Sequence, residues 1–176
     1  MFLRLGTRMR GPSGVKPGVM RRILLSNITS SGASRLPSIL SGVPGQNIED
    51  IKISDVFLEQ VGGGTASTAA LEPPELEAHY PDPGMFGELP ATGFFVRHVR
   101  NLEMTNVEIA TRSADARPAL WLRDVAGADF FRMRVPEGVP AYHLHDVKEF
   151  RSFGGRKMTD VTVDSVDEGQ FGFLRK

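Results

Sequence analysis

One short phrase recurs along this chain with the same grammar, and it narrows the possible folds more than any other feature. It reads Phe94-Phe95-Val96-Arg97-His98-Val99, then Leu120-Trp121-Leu122-Arg123-Asp124-Val125, then Tyr142-His143-Leu144-His145-Asp146-Val147. Asp124 follows His98 by 124−98 = 26 positions, and Asp146 follows Asp124 by 146−124 = 22. A weaker copy, Pro37-Ser38-Ile39-Leu40-Ser41-Gly42-Val43, places Gly42 98−42 = 56 positions ahead of His98, as two repeats stretched by an insertion would. Periods of about 20–50 residues mark solenoids. Strand-type repeats with no helical pattern between them predict an all-β chain wound as a right-handed parallel β-helix of about five to seven coils. Equivalent side chains then stack into columns about 4.8 Å apart.

Alternation divides each phrase into two faces. Phe94, Leu120 and Tyr142 share one face with Val96, Leu122 and Leu144. Phe95, Trp121 and His143 share the other with Arg97, Arg123 and His145. The second set puts aromatic rings beside cations. Rings stack on sugar faces and arginine grips a carboxylate with two parallel bonds, which suits an acidic polysaccharide. The alternative is that Phe95 and Trp121 pack beneath a loop while the arginines are solvated.

The rest of the chain fits a single domain over residues 1–176. Residues 1–10 alternate as a strand, and the Gly- and Pro-rich stretch Gly11 to Gly18 reads as a loop. Strand patterns follow over 22–28, 48–58, 102–109 and 158–166, rich in Val, Ile and Thr. Asn27, Asp55 and Asn106 sit where these strands would bend, and both residue types tolerate left-handed dihedrals, so they are expected to stack as corners. Residues 61–92 break the pattern as a long inserted loop, with one short acidic helix possible over Leu71 to His79. Such a loop is either functional or a shield over a sheet edge.

Composition removes several functions. The formal net charge is zero, so no basic field draws the chain to nucleic acid or to an anionic membrane. No apolar run reaches the roughly 18 residues of a membrane span. The absence of cysteine excludes disulfides and thiolate-bound metal. Gly62-Gly63-Gly64 is not followed by Lys-Ser or Lys-Thr, so a phosphate loop is not indicated. No cofactor is expected.

Three stretches resemble the C-terminal half of family 28 glycoside hydrolases, the polygalacturonase and rhamnogalacturonase group. They are Met1-Phe2-Leu3-Arg4-Leu5-Gly6-Thr7-Arg8, then Ser41-Gly42-Val43-Pro44-Gly45-Gln46-Asn47-Ile48-Glu49-Asp50-Ile51, then Tyr80-Pro81-Asp82-Pro83-Gly84-Met85-Phe86-Gly87 running into Gly93-Phe94-Phe95-Val96-Arg97-His98-Val99. The resemblance implies a right-handed parallel β-helix, inverting hydrolysis of galacturonic acid polymers, and an extracellular or periplasmic location, although no signal peptide is visible. The family's aspartate motifs (Asn-x-Asp and Asp-Asp) and its Gly-His-Gly motif are missing here. Arg4 or Arg8 would stand in for its carboxylate-binding Arg-x-Lys. The implied function is a polysaccharide-active β-helix lacking the family's catalytic aspartates. A non-catalytic carbohydrate-binding or structural β-helix fragment is the alternative.

Among the remaining residues, His98, Asp124 and Asp146 form the candidate catalytic column. Glycosidases need two carboxyls about 5–5.5 Å or about 6.5–9.5 Å apart, and carboxyls one coil apart stack near the lower value. Turn chemistry offers a simpler account of the same column as corner residues. Arg4, Arg8, Arg97, Trp121, Arg123, His143 and His145 are the candidate substrate-binding groups. His143 and His145 with Asp146 have a spacing that zinc accepts, with His98 or Asp124 as a third ligand. The pattern is too common to assign a metal. A hydrolase site of another kind, built on His98, Asp124 and His143, is a further possibility. Partners are expected to be acidic poly- or oligosaccharide, with homo-oligomers forming through open coil ends: Met1 to Gly6 resembles a strand entered in mid-fold, and Gly169 to Leu174 leaves apolar groups at the other end.

Overall fold

A computed structural model describes residues 1–8, 18–32 and 34–172. The predicted all-β character holds. The strands are β1 (Phe2–Arg4), β2 (Arg21–Ser30), β3 (Ser38–Ser41), β4 (Ile48–Gln60), β5 (Phe94–Thr111), β6 (Leu120–Phe131), β7 (Tyr142–Phe153) and β8 (Val161–Phe171). The single helix among the described residues is α1 (Ala66–Ala69), capped by Thr65.

The repeat sets the register. Phe94, Leu120 and Tyr142 pair in line, as do Arg97, Arg123 and His145. The weak copy belongs to the same ladder, because Ser41 pairs with Arg97. β1 and β2 lie above β3 and β4, which lie above β5, then β6, then β7, all parallel. The inward face forms the main core, from Leu40 through Val96, Leu122 and Leu144 to Phe150.

Left-handed residues bend the long strands at fixed places. His98, Asp124 and Asp146 have φ of 52°, 48° and 52°. Three residues on, Asn101, Gly127 and Glu149 are left-handed too, and five further on, Asn106, Arg132 and Gly154. The upper tiers repeat the spacing of five with Arg22 and Asn27, and with Asp50 and Asp55. The expected corners at Asn27, Asp55 and Asn106 are therefore present. They stack, with Asn106 Nδ2 donating to Asp55 Oδ1 at 2.7 Å and Asn101 Nδ2 to Asp50 Oδ1 at 2.8 Å. The same residue types that end helices make these corners, because their short side chains bond locally in the left-handed region.

Four expectations are corrected. The strand order is not parallel throughout: β8 runs antiparallel to β7, and the mixed sheet is not closed. The reversal is a hairpin over 154–160, where Gly154 and Lys157 are left-handed and the Gly154 N–H bonds Asp160 Oδ1 at 3.0 Å. The strand expected over 158–166 begins only at Val161, after that hairpin. The acidic helix over Leu71–His79 does not form. Pro73 and Pro74 lack N–H donors and disfavour helical geometry in the residue before each. The first strand ends at Arg4, while residues 9–10, most of the predicted Gly11–Gly18 loop, and the apolar Phe173 and Leu174 lie outside the described residues.

Candidate functional site

The face opposite the core carries a second apolar cluster. Phe95 and Trp121 stack at 5.0 Å with their planes 15° apart. Both are buried against Ile39, Phe86, Leu89 and Ala91. Three of those four come from residues 71–92, so the insertion is a strap lying across the aromatic column. Trp121 is 1% exposed, which sets aside the outward sugar-stacking surface and bears out the alternative for the aromatics, packing beneath a loop, while Arg97, expected there to be solvated, is buried too. Aromatic area this large is left in water only where a ligand compensates, and here the strap supplies the cover.

The neighbouring column runs Arg4, Ser41, Arg97, Arg123, His145. Arg97 is 1% exposed and satisfies every direction of its guanidinium. Its Nε donates to Ser41 Oγ at 3.1 Å, its Nη1 to Pro73 O at 3.0 Å, and its Nη2 to Pro74 O at 2.9 Å and Glu75 O at 3.1 Å. Glu75 Oε1 lies 3.3 Å from Nη1. Burial brings the Arg97 pKa down to about 10, against the pull of Glu75 and with the push of Arg4 and Arg123, so it stays charged at neutral pH. Arg4 reaches the same strap carbonyl, Glu75 O, at 2.6 Å, and also holds Ser41 Oγ and Gly42 O. Arg123 donates to Glu72 Oε2 at 2.5 Å and keeps a third of its side chain exposed. Arg8, an exposed residue, places its guanidinium carbon 4.8 Å from the Tyr80 ring centroid.

The corner column behaves differently at each tier. His98 is 7% exposed and held from both sides, by Asp124 Oδ2 on Nδ1 at 2.7 Å and Glu75 Oε2 on Nε2 at 3.1 Å. Arg100 Nη2 adds a bond to Asp124 Oδ1 at 2.8 Å. Burial pushes the Asp124 carboxyl up, but the hydrogen bonds from His98 and Arg100 and the Arg100 charge outweigh it and hold the pKa below the ordinary value. A general acid needs the opposite shift. Asp146, one tier on, is exposed, and His145 Nε2 stands 3.5 Å from its Oδ2. His143 Nε2 approaches Glu168 Oε1 of β8 at 3.2 Å. The structure thus joins His98 to Asp124, and leaves Asp146, His143 and His145 in a separate set at the β7–β8 edge. Among the described residues, no three His, Asp or Glu side chains converge as a metal site.

Sequence reasoning missed the residues that complete this face. Glu72 and Glu75 come from the strap, which carries no repeat. The pair Arg117–Asp115 was also missed. Its side chains are 2% and 1% exposed, with Nη2 to Oδ2 at 2.8 Å and Nε to Oδ1 at 3.0 Å. Arg117 Nη1 also donates to Leu89 O at 3.2 Å and Arg35 O at 3.0 Å, while Gly64 N–H donates to Asp115 Oδ2 at 3.0 Å. This explains Gly64, because a Cβ there would run into Arg117 Nε. The pair therefore ties both ends of the insertion to the stack. For Ser41, the hydroxyl that Arg4 and Arg97 share, a signal was available: Arg97 lies 97−41 = 56 positions after it, the offset that relates Gly42 to His98.

No family model, curated protein or solved structure matches this chain. The resemblance to family 28 rests on the sequence phrases alone.

Proposed function

We propose that the chain is a non-catalytic parallel β-helix module, in which the arginine column serves to fasten a covering strap. Two features support the finer fold: parallel tiers in register at the repeat spacing, and left-handed corners recurring every three and five residues. The observation that carries the functional reading is the state of Arg97. A side chain placed to grip a uronate is instead buried and satisfied by strap carbonyls. With Asp124 held ionised by His98 and Arg100, the corner column lacks a carboxyl tuned to donate a proton. The test is an assay for new reducing ends on polygalacturonate and rhamnogalacturonan. The parent chain should release none. Release that disappears in Asp124→Asn or Asp146→Asn would establish catalysis and overturn the proposal.

A second reading, acidic-glycan binding, is favoured by one observation: the column that starts at Arg4 emerges from beneath the strap at Arg123 and His145, both partly exposed. Calorimetry with oligogalacturonate decides it. Binding that Arg123→Ala weakens and added salt reduces supports a glycan face there, and no heat at millimolar ligand removes it.

A further inference from the structure

The two end strands of the stack differ in charge, and each leaves apolar residues half-covered. Among the described residues, β2 pairs only with β4 and β8 only with β7, so each has one open edge. Open edges of this kind recruit another strand. At the β2 end, Ile23, Leu25 and Ile28 are only partly covered where they meet the core, and Leu24 is 70% exposed. At the β8 end, Val163, Val166 and Phe171 lie against the core in the same half-covered way. The β2 strand carries Arg21 and Arg22 and no acid, both exposed. The β8 strand carries Asp164, Asp167 and Glu168 and no base, all exposed.

From this we infer that the β2 end docks on the β8 end of a second copy, head to tail. Register supports the fit. Ile23 pairs with Ile51, then down the ladder Leu102, Ala128 and Phe150, and Phe150 pairs with Val163. Along the same ladder Arg21 lies over Glu49, Arg100, Ala126 and Lys148, and Lys148 pairs with Ser165, next to Asp164. Adding a β2 strand beyond β8 in this register sets Ile23 over Val163 and Leu25 over Val161, and puts Arg21 and Arg22 beside Asp164. The two symmetric alternatives bring like charges together: two β2 ends would oppose Arg21 and Arg22, and two β8 ends would oppose Asp164 and Asp167. Like-charge contacts across an interface work against association. Head-to-tail docking does not close on itself, so it produces a linear series rather than a fixed dimer.

Charge exchange tests this directly. Sedimentation velocity on the full chain in low salt should show a mean mass that rises with concentration and passes the dimer. The double substitution R21E/R22E makes both ends acidic, and D164K/D167K makes both basic. Each alone should weaken association about tenfold or more. An equimolar mixture should restore it, because each variant then offers the end the other lacks. Circular dichroism of each variant should match the parent, and R21K/R22K should associate as the parent does. A parent that stays monomeric to high concentration, a dimer that neither reversal affects, or a mixture that fails to recover overturns the inference.

Discussion

Two columns of charged residues point away from the core, and they solve the same electrostatic problem in opposite ways. Lys52, Glu103, Asp129 and Arg151 stack on the open face. Lys52 pairs with Glu103 at 3.0 Å, and Arg151 holds Asp129 with two bonds of 2.6 and 2.8 Å. That column neutralises itself and stays in water. The column of Arg4, Arg97 and Arg123 has one sign only, broken by Ser41. It cannot be neutralised from within. Glu72, Glu75 and three backbone carbonyls arrive from the strap instead, and in covering the cations the strap also covers Phe95 and Trp121. A column of like charges in a stacked fold thus demands an insertion or a ligand, while one whose charges balance demands neither.

If the strap is held by buried charge, the largest effect should come from its deepest anchor. Asp115→Ala strands Arg117 without its carboxylate, and removing one member of a buried pair costs about 3–5 kcal/mol. Urea unfolding followed by the fluorescence of Trp121 measures it. Acid offers a second view of the same pair. Burial pushes Asp115 up, but bonds from Arg117 and Gly64 outweigh it and bring its pKa from 3.8 to about 2. A depressed carboxyl contributes stability above its unfolded pKa and loses it as pH falls toward the folded value. That contribution should vanish between about pH 4 and 2 in the parent. Asp115→Asn, titrated over the same range, should lack that component. An identical acid profile in the variant would remove Asp115 from the anchor.

Arg97→Met should come next. It keeps apolar volume but leaves the carbonyls of Pro73 and Pro74 without their donor and Glu75 O with Arg4 alone, at about 1–3 kcal/mol for buried acceptors left unmade. The loss should be local. Hydrogen exchange should rise across residues 71–92 and stay unchanged in β6 and β7. A uniform rise over the whole chain would mean that Arg97 supports the stack itself rather than the strap.

The tiers were legible in the sequence because a repeated phrase fixes its own register. Pairing Phe95 with Trp121 and His143 needs only the offsets of 26 and 22. The corner at Asn106 was legible too, since asparagine is a cheap left-handed residue. The corner at Arg132 was not, because nothing in arginine signals φ of 54°. The reversal into β8 was hidden in a segment that alternates as well as any parallel strand; the direction lies in the hairpin before it. The site was the least legible part. Glu72, Glu75 and Asp115 belong to irregular stretches, and their partners are set by where the strap lies and not by any period. The faces of Arg97 and Trp121 were foreseen, and a covering loop over Phe95 and Trp121 was one of the two readings; the burial of Arg97 was not foreseen, since alternation says which way a side chain points and not what covers it.

Corners and columns can be separated by a milder change. Asn106→Ala puts a Cβ residue without a local bonding group at φ of 56° and removes the bond to Asp55. The left-handed conformation costs about 1–2 kcal/mol for ordinary residues. Asn106→Gly keeps the conformation and loses only the side-chain bond. Alanine should therefore destabilise more than glycine. Glycine equal to or worse than alanine would mean that the ladder bond, and not the dihedral, is what matters at the corner.

The smallest effect should come from the open column, and it is the sharpest check on the contrast. Lys52 and Glu103 are 65% and 41% exposed, so water screens them and their side chains lose rotamer freedom on pairing. Lys52→Ala should cost about 0.2–1 kcal/mol, and the coupling between Lys52→Ala and Glu103→Ala in a double-mutant cycle should fall in the same range. Raising the salt should shrink it further, because the pair lies within reach of mobile ions. Asp115 and Arg117, treated the same way, should couple more strongly and respond less to salt. Equal coupling and equal salt response in the two cycles would mean that burial beneath the strap does not distinguish the columns.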